Sequence, residues 1–160
     1  MNKSEGKCQS IDNRLALKQL RALITNETDL TANLANASAF LADTVADISW
    51  IGLYLFNEKD QELILGPFQG KVACTRIKIG QGVCGTAFLQ QKTIIVGNVH
   101  QFKGHIACDV ATDAEIVIPL TVKQQKVGVL DVDSTTLQRF GEKEKKFFEQ
   151  AAAEIEKCWY

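Results

Sequence analysis

The segment from residue 104 to residue 115, GHIACDVATDAE, concentrates groups that could do chemistry: a histidine, a cysteine and three acids. Its cysteine, Cys108, lies between His105 and Asp109. A cysteine buried only for packing is expected among apolar neighbours, whereas a reactive cysteine needs groups that stabilise its thiolate and a way to be regenerated. This segment alone leaves both possibilities open.

The chain carries five cysteines, Cys8, Cys74, Cys84, Cys108 and Cys158. Their odd number, with no CxxC pair, argues against a permanent disulfide framework in a reducing compartment. A small buried hydrophobe is a reasonable interpretation of Cys158, which lies near the end of a predicted helix. That interpretation says little about Cys8 and fits the three central cysteines poorly.

Zinc is one possible use of the central cysteines, because Cys74, Cys84, His105 and Cys108 could supply four ligands. Structural zinc sites are usually built from closely spaced pairs, and here only His105 and Cys108 are close. The spacing therefore predicts no metal site.

Residues 80–85, GQGVCG, match the pattern G-x-G-x-x-G between a predicted strand and a short helix. We reject a dinucleotide fingerprint, because no parallel strand follows at the required distance and His105 occupies the position of the ribose-binding acid. The glycines could instead let backbone N–H groups approach a small anion at a helix N-terminus. That position would also lower the pKa of the Cys84 thiol through the helix dipole. A merely tight loop is the alternative.

Two predicted strands carry unusual residues on one face. In SWIGLYLF (49–56), the rings of Trp50 and Tyr54 flank Gly52, which predicts a notch with aromatic walls, although ordinary aromatic packing is an equal alternative. On the opposite face, the apolar residues Ile51, Leu53 and Leu55 belong against helices.

The last predicted strand, VGVLDVDS (127–134), places Asp131 and Asp133 on one face with Val127 and Val129. Two such carboxylates repel each other unless they face water, a cation or a ligand. A solvated pair at the strand end is the commoner explanation of this pattern. Glu115, a few residues after Cys108, adds a third carboxylate.

The order of the predicted elements indicates an α+β fold. A first helix is predicted over residues 12–25, with Leu17, Leu20 and Ile24 facing inward and Asp12 as its cap. A second helix is predicted along the apolar stripe from Leu30 to Val45, with Asp29 at its start. A third helix is predicted over residues 141–158. Short strands are predicted at 49–56, 62–68, 72–79, 115–122 and 127–134. We expect one domain over residues 1–160, with a mostly antiparallel sheet, the N- and C-terminal helices on one face, and a flexible polar leader at 1–10.

The positions of the three carboxylates constrain the hairpin formed by strands 115–122 and 127–134. Glu115 shares a face with Asp131 and Asp133 only if opposed residue numbers add to an even number. A simple two- or four-residue loop gives an odd sum, so we expect a bulge or a three- or five-residue loop. Pro119, which cannot donate to a ladder, is the expected place for the irregularity.

Composition excludes several classes of function. The 160 residues are 46% hydrophobic and 23% charged, as in globular proteins, and the net charge of −1 provides no basic surface for nucleic acid or anionic lipid. We find neither a signal peptide nor an apolar stretch approaching the ~20 residues of a membrane span, which predicts a cytoplasmic protein.

Five segments together resemble the free methionine-(R)-sulfoxide reductases, which are single GAF-type domains. They are GPFQGKVAC (66–74), GQGVCGTA (80–87), NVHQFKGHIACD (98–109), EIVIPL (115–120) and GVLDVDS (128–134). The resemblance extends from about Trp50 to Phe140. The three cysteines with the GHIACD segment are what separates this family from ordinary GAF sensors.

The resemblance implies a role for each candidate residue. It makes Cys108 the catalytic cysteine, Cys74 the main resolving cysteine and Cys84 a third redox-active partner. It also implies a substrate pocket made of carboxylates and aromatic rings: Glu115, Asp131, Asp133, Trp50 and Tyr54. Members use thioredoxin as an external reductant and no bound cofactor, and they are typically homodimers.

The residue types agree with this chemistry. Sulfoxide reduction needs a reactive thiolate beside a proton donor, and crowded carboxylates in a closed pocket can supply the donor. The resulting sulfenic acid condenses with a nearby thiol to a disulfide, which an external dithiol must reduce. Two alternatives are a GAF-type binding module without chemistry and a thiol sensor that reacts with peroxide. The latter would explain the cysteines but not the aspartates and rings.

Overall fold

Two capped helices precede the sheet in this computed structural model, which describes residues 12–106 and 108–159. Helix α1 spans Asn13–Ile24, and the side chain of Asp12 accepts a hydrogen bond from the backbone N–H of Arg14. Helix α2 spans Leu30–Thr44, and Asp29 accepts from the N–H of Ala32 in the same way. Both helices and both caps are therefore confirmed. The predicted leader and Cys8 lie outside the described residues.

Within the described residues, six strands form one sheet: β1 (Trp50–Asn57), β2 (Glu62–Gln69), β3 (Arg76–Lys78), β4 (Ile94–Val96), β5 (Ala114–Val122) and β6 (Gln125–Ser134). Their order is β3-β2-β1-β6-β5-β4, and every pair is antiparallel. Helix α3 (Gly82–Gln90) follows β3, a short 3-10 helix (Val99–Gln101) follows β4, and α4 (Glu142–Glu156) closes the chain. The antiparallel sheet is inconsistent with a βαβ dinucleotide fold.

The sheet separates two apolar clusters. One face packs against α1, α2 and α4 and buries Ile51 and Leu53 of β1, as predicted, together with Cys158 near the end of α4. The other face packs against α3 and includes Trp50, Tyr54 and Cys84. The predicted α+β architecture is confirmed, with a mostly antiparallel sheet and the N- and C-terminal helices on one face. The face away from these helices is the one that bears the candidate site.

The β5–β6 hairpin has the register that the three carboxylates require. Glu115 pairs with Asp133 and Val117 with Asp131, and a β-bulge lies between Leu120 and Thr121. The predicted bulge is confirmed, but its predicted position at Pro119 is wrong, because Pro119 pairs regularly with Val129.

The bulge also corrects the predicted face of Val127. This residue is the extra one opposite Leu120 and Thr121, and it packs on the helix side rather than beside the aspartates. A two-residue turn at Lys123 and Gln124, both with positive φ (49° and 67°), closes the hairpin.

The strand predicted over residues 72–79 is wrong in its first half. Only Arg76–Lys78 is a strand, whereas residues 72–74 form a loop. Two side chains of β1 donate hydrogen bonds to backbone carbonyl oxygens of this segment, which would otherwise pair with a neighbouring strand. Trp50 Nε1 donates to Lys71 O (3.0 Å), and the Tyr54 hydroxyl donates to Cys74 O (2.8 Å). The three-residue strand β4 was not predicted. No helix in the described part of the chain is long and apolar enough to span a membrane.

Candidate active site

A pocket opens between the sheet, the N-terminal end of α3, and two loops that include residues 71–74 and 105–112. It brings together seven of the eight predicted site residues: Trp50, Tyr54, Cys84, Cys108, Glu115, Asp131 and Asp133. The eighth, Cys74, is joined to the pocket by a covalent bond.

A disulfide links Cys74 to Cys108 across the mouth of this pocket, with their Cα atoms 5.6 Å apart. The two residues are 34 positions apart in sequence and lie on the two different loops. Cys108 is exposed and Cys74 is half-buried. The zinc quartet considered from the sequence is therefore not available in this state, because two of its four members are bonded to each other.

Cys84 lies at the floor of the pocket, in the first turn of α3, and is only 3% exposed. Burial raises the pKa of its thiol, and the nearby charges of Asp131 and Glu115 raise it further. The prediction of a lowered pKa is wrong, since removal from water and adjacent carboxylates outweigh the helix dipole.

Three carboxyl groups meet next to Cys84. Glu115 and Asp131 are buried, and the Sγ atom of Cys84 lies 3.8 Å from Glu115 Oε1. Burial raises the pKa of Glu115 and Asp133 well above the usual range, and neighbouring carboxylates contribute to both shifts. Burial also raises the pKa of Asp131, to about 6.

Two oxygen atoms of this carboxyl cluster are buried without a hydrogen-bond partner among the described residues, Asp131 Oδ1 and Asp133 Oδ1. Unsatisfied buried acceptors are rare in folded proteins, and a proton, a water molecule or a ligand group would satisfy these two oxygen atoms. The ligand atoms of Cys84, Glu115 and Asp131 lie within 4.8 Å of one another, a spacing that could also surround a metal ion. The same atoms suit a proton or an organic ammonium group.

His105, which was considered from the sequence as a zinc ligand, is a residue of this pocket. Its Nε2 lies 3.8 Å from Glu115 Oε2, and burial lowers the pKa of the imidazole. A neutral imidazole at this position can accept a proton from the carboxyl cluster or return one. In the sequence, the feature that points to His105 as a site residue is its position three residues before Cys108.

Aromatic rings form one wall of the pocket. The rings of Trp50 and Tyr54 lie 6.0 Å apart and nearly parallel, and Phe68 lies 5.3 Å from Trp50. The predicted open notch at Gly52 is wrong: a Cβ there would collide with Phe68 and with the Trp50 ring, so these side chains already fill the space. The absence of a side chain at Gly52 makes room for the Trp50 ring, not for a ligand.

The N-terminal end of α3 forms the remaining wall through Gln81, Gly82 and Val83. Unpaired N–H groups of a first helical turn point out of the helix end and favour an anion. The preceding loop is tight, because Gly80 N–H donates to Gly85 O (2.9 Å) and a Cβ on Gly85 would collide with Lys78 O. The two interpretations of GQGVCG are thus compatible.

A family model described as "GAF domain" matches residues 25–157, so the chain is a GAF-domain protein. The free methionine-R-sulfoxide reductase of Escherichia coli is 49% identical over 140 residues, covering 88% of this chain and 84% of that protein. The enzyme of the same name from Saccharomyces cerevisiae is 40% identical over 147 residues, covering 88% and 82%.

A solved structure agrees with these relatives. The X-ray structure of free methionine-R-sulfoxide reductase from Neisseria meningitidis in complex with its substrate is 40% identical, with a TM-score of 0.90 and coverage of 94% of this chain and 89% of that one. Within the GAF class, the chain belongs to the family of the free methionine-R-sulfoxide reductases.

Proposed function

We propose that this protein is an oxidoreductase that reduces free L-methionine (R)-sulfoxide to methionine. The observation that carries the proposal is the Cys74–Cys108 disulfide at the mouth of a pocket that holds three carboxyl groups. The names of the relatives described above support the substrate.

In the first step, the reduced Cys108 thiolate attacks the sulfoxide sulfur while the sulfoxide oxygen takes up one proton. The S–O bond then breaks and the oxygen is transferred to Cys108, which becomes a sulfenic acid as the substrate sulfur gains two electrons. Groups of the carboxyl cluster that retain a proton at neutral pH, such as Glu115, supply the proton that the sulfoxide oxygen takes up.

In the second step, the Cys74 thiol attacks the sulfenic sulfur of Cys108 and a water molecule leaves. The disulfide that forms is then reduced by an external dithiol, for which we propose thioredoxin, so the protein itself needs no bound cofactor. In this scheme Cys84 is a reserve thiol rather than the first nucleophile, because its pKa is raised.

Recognition of the free amino acid follows from charge. The carboxyl cluster can hold the substrate ammonium group, and the N-terminal end of α3 can hold the substrate carboxylate. The rings of Trp50 and Tyr54 can pack on the methyl–sulfur end. We further propose a cytoplasmic homodimer.

An assay with separated diastereomers tests the proposal: NADPH consumption coupled through thioredoxin reductase and thioredoxin. We expect turnover of the free R form and little of the free S form. Acetylation of the substrate amine should lower kcat/KM by on the order of a hundredfold or more, since a charge-assisted hydrogen bond is lost and a buried carboxylate is left unpaired. Equal rates on free, N-acetylated and peptide-embedded sulfoxide would overturn the assigned substrate.

A further inference from the structure

Two valines stand out on the surface of the molecule. Val72 is 88% exposed and Val110 is 84% exposed, whereas the four other exposed large hydrophobic side chains among the described residues lie between 42% and 55%. Exposure of a large apolar side chain is unfavourable in water, and clustered instances mark interaction sites.

Both valines flank the disulfide. Val72 precedes Cys74 by two residues and Val110 follows Cys108 by two residues. Because two residues span at most about 7 Å of chain, each valine backbone lies within about 7 Å of its cysteine. The disulfide thus brings the two loops that carry Val72 and Val110 together, and the two valines with the disulfide are here named the valine patch.

We infer that the valine patch is the docking surface for the protein dithiol that reduces the Cys74–Cys108 disulfide. This inference rests on the proposed function, which requires such a reductant in every cycle. The patch offers apolar surface that is lost from water only when a partner binds. It also offers a reducible bond in its centre, since Cys108 is exposed while Cys84 is buried.

Positive charge on the loops of the valine patch indicates which surface charge the partner carries. Lys71 and Lys103 are exposed on the same two loops. An apolar face with a surface thiol and a rim of carboxylates would complement this arrangement, with the apolar contact giving affinity and the lysines giving orientation.

The Cys74–Cys108 disulfide is reduced by two steps of thiol–disulfide exchange. A partner thiolate attacks the exposed Cys108 sulfur, a mixed disulfide forms and Cys74 leaves as a thiolate. The second partner thiol then attacks the partner's own sulfur in that mixed disulfide and releases Cys108. The partner is oxidised to its disulfide, and its two protons are taken up by the Cys74 and Cys108 thiolates.

Steady-state kinetics with two reductants test the inference. Thioredoxin is the protein probe, dithiothreitol is the small probe, and the variants are Val110→Ser and Val72→Ser/Val110→Ser. We expect KM for thioredoxin to rise roughly tenfold for each valine replaced, the change that corresponds to burial of one such side chain. For Val110→Ser, the dithiothreitol-supported rate and the yield of methionine in a single turnover of pre-reduced protein should equal the wild-type values.

Leu15→Ser is the matched control, because Leu15 is 51% exposed on α1, across the sheet from the pocket. It should leave KM for thioredoxin unchanged. An unchanged KM in both valine variants would overturn the inference, and so would a dimer that dissociates in them, since the patch would then be a contact between copies. Loss of the dithiothreitol-supported reaction in wild-type protein would instead count against the proposed function.

Discussion

At the scale of single residues, burial decides which groups of the pocket carry charge. Three carboxyl groups share a space that contains no basic side chain other than His105 and Lys71 among its lining residues. Because their pKa values are raised, at least one carboxyl group keeps its proton at neutral pH and can donate it. The same environment keeps Cys84 protonated, which leaves the more exposed Cys108 as the better nucleophile.

Replacement of single cysteines separates their roles. Cys108→Ser should abolish turnover with the fold intact, because a hydroxyl group is far less nucleophilic than a thiol at neutral pH. Cys74→Ser should release one methionine per protein chain when reduced protein reacts without added thiol, and should turn over slowly when thioredoxin is supplied. Cys158→Ala is the control and should keep full activity, since Cys158 lies in the helix-side core. Normal coupled activity of Cys108→Ser would contradict the mechanism.

The raised pKa of Asp131 predicts how stability depends on pH. Asp131 holds its proton up to about pH 6 in the folded protein, whereas the unfolded chain releases it near pH 3.9. The contribution of Asp131 to the free energy of unfolding is thus complete below pH 3.9 and is lost as pH rises through 6. Asp131→Asn should remove this loss and raise the free energy of unfolding at pH 8, relative to wild type, by on the order of 2 kcal/mol.

Urea unfolding of the oxidised protein at pH 5 and pH 8 measures this effect, with Asp43→Asn as the control because Asp43 is exposed on α2. The control should follow the wild-type dependence on pH. An Asp131→Asn protein that loses stability at pH 8 would show that the carboxylate makes a favourable interaction there. The same variant should lose catalytic activity, so the site is maintained at the expense of stability.

At the scale of elements, strand register assembles the carboxyl cluster. The bulge between Leu120 and Thr121 gives the β5–β6 pairing the parity that puts Glu115 and Asp133 side by side. Close approach of β1 and β6 then sets Asp131 beside Gly52, its partner across the sheet. At Gly128 the strands are so close that a Cβ would collide with Tyr54 O.

Gly128→Ala should therefore disturb both stability and the aromatic wall. Relief of the collision requires a shift of the Tyr54 backbone, so we expect the free energy of unfolding to fall by on the order of 2–3 kcal/mol and activity to fall with it. Gly141→Ala is the matched control, because its Cβ would meet only Glu144 Oε2 at 3.5 Å. It should change stability by about 1 kcal/mol or less. Equal urea midpoints for the two variants would refute the steric argument.

The elements show what the sequence could and could not predict. Apolar spacing and caps identified α1, α2 and α4, and parity required the bulge, because these features depend on local pattern. The loop at residues 72–74 was mistaken for a strand, since the hydrogen bonds that withdraw its carbonyls come from Trp50 and Tyr54, distant in sequence. The burial of Cys84 and the filling of the Gly52 notch also depend on packing between residues that are distant in sequence.

At the scale of the whole molecule, the sheet separates a structural side from a chemical side. The helix-side cluster includes side chains from α1, α2, α4 and the sheet, and no described residue of the two pocket loops belongs to it. On the opposite side, the two loops that contain residues 71–74 and 105–112 are joined through the disulfide. Each catalytic cycle in the proposed function therefore makes and breaks a covalent link between the two loops, while the helix-side core stays intact.

Reduction of this link should loosen the loops and lower the stability of the whole chain. Closing a loop of 34 residues restricts the unfolded chain and is worth about 4 kcal/mol by the chain-entropy estimate. Wild-type protein should lose about this much unfolding free energy when dithiothreitol is added, whereas Cys74→Ser should lose none. Amide hydrogen exchange should become faster in residues 71–75 and 103–112 and stay unchanged in α1 and α4. Equal unfolding free energies for oxidised and reduced wild-type protein would mean that the reduced loops hold together without the bond, and that the redox state does not control the mouth of the pocket.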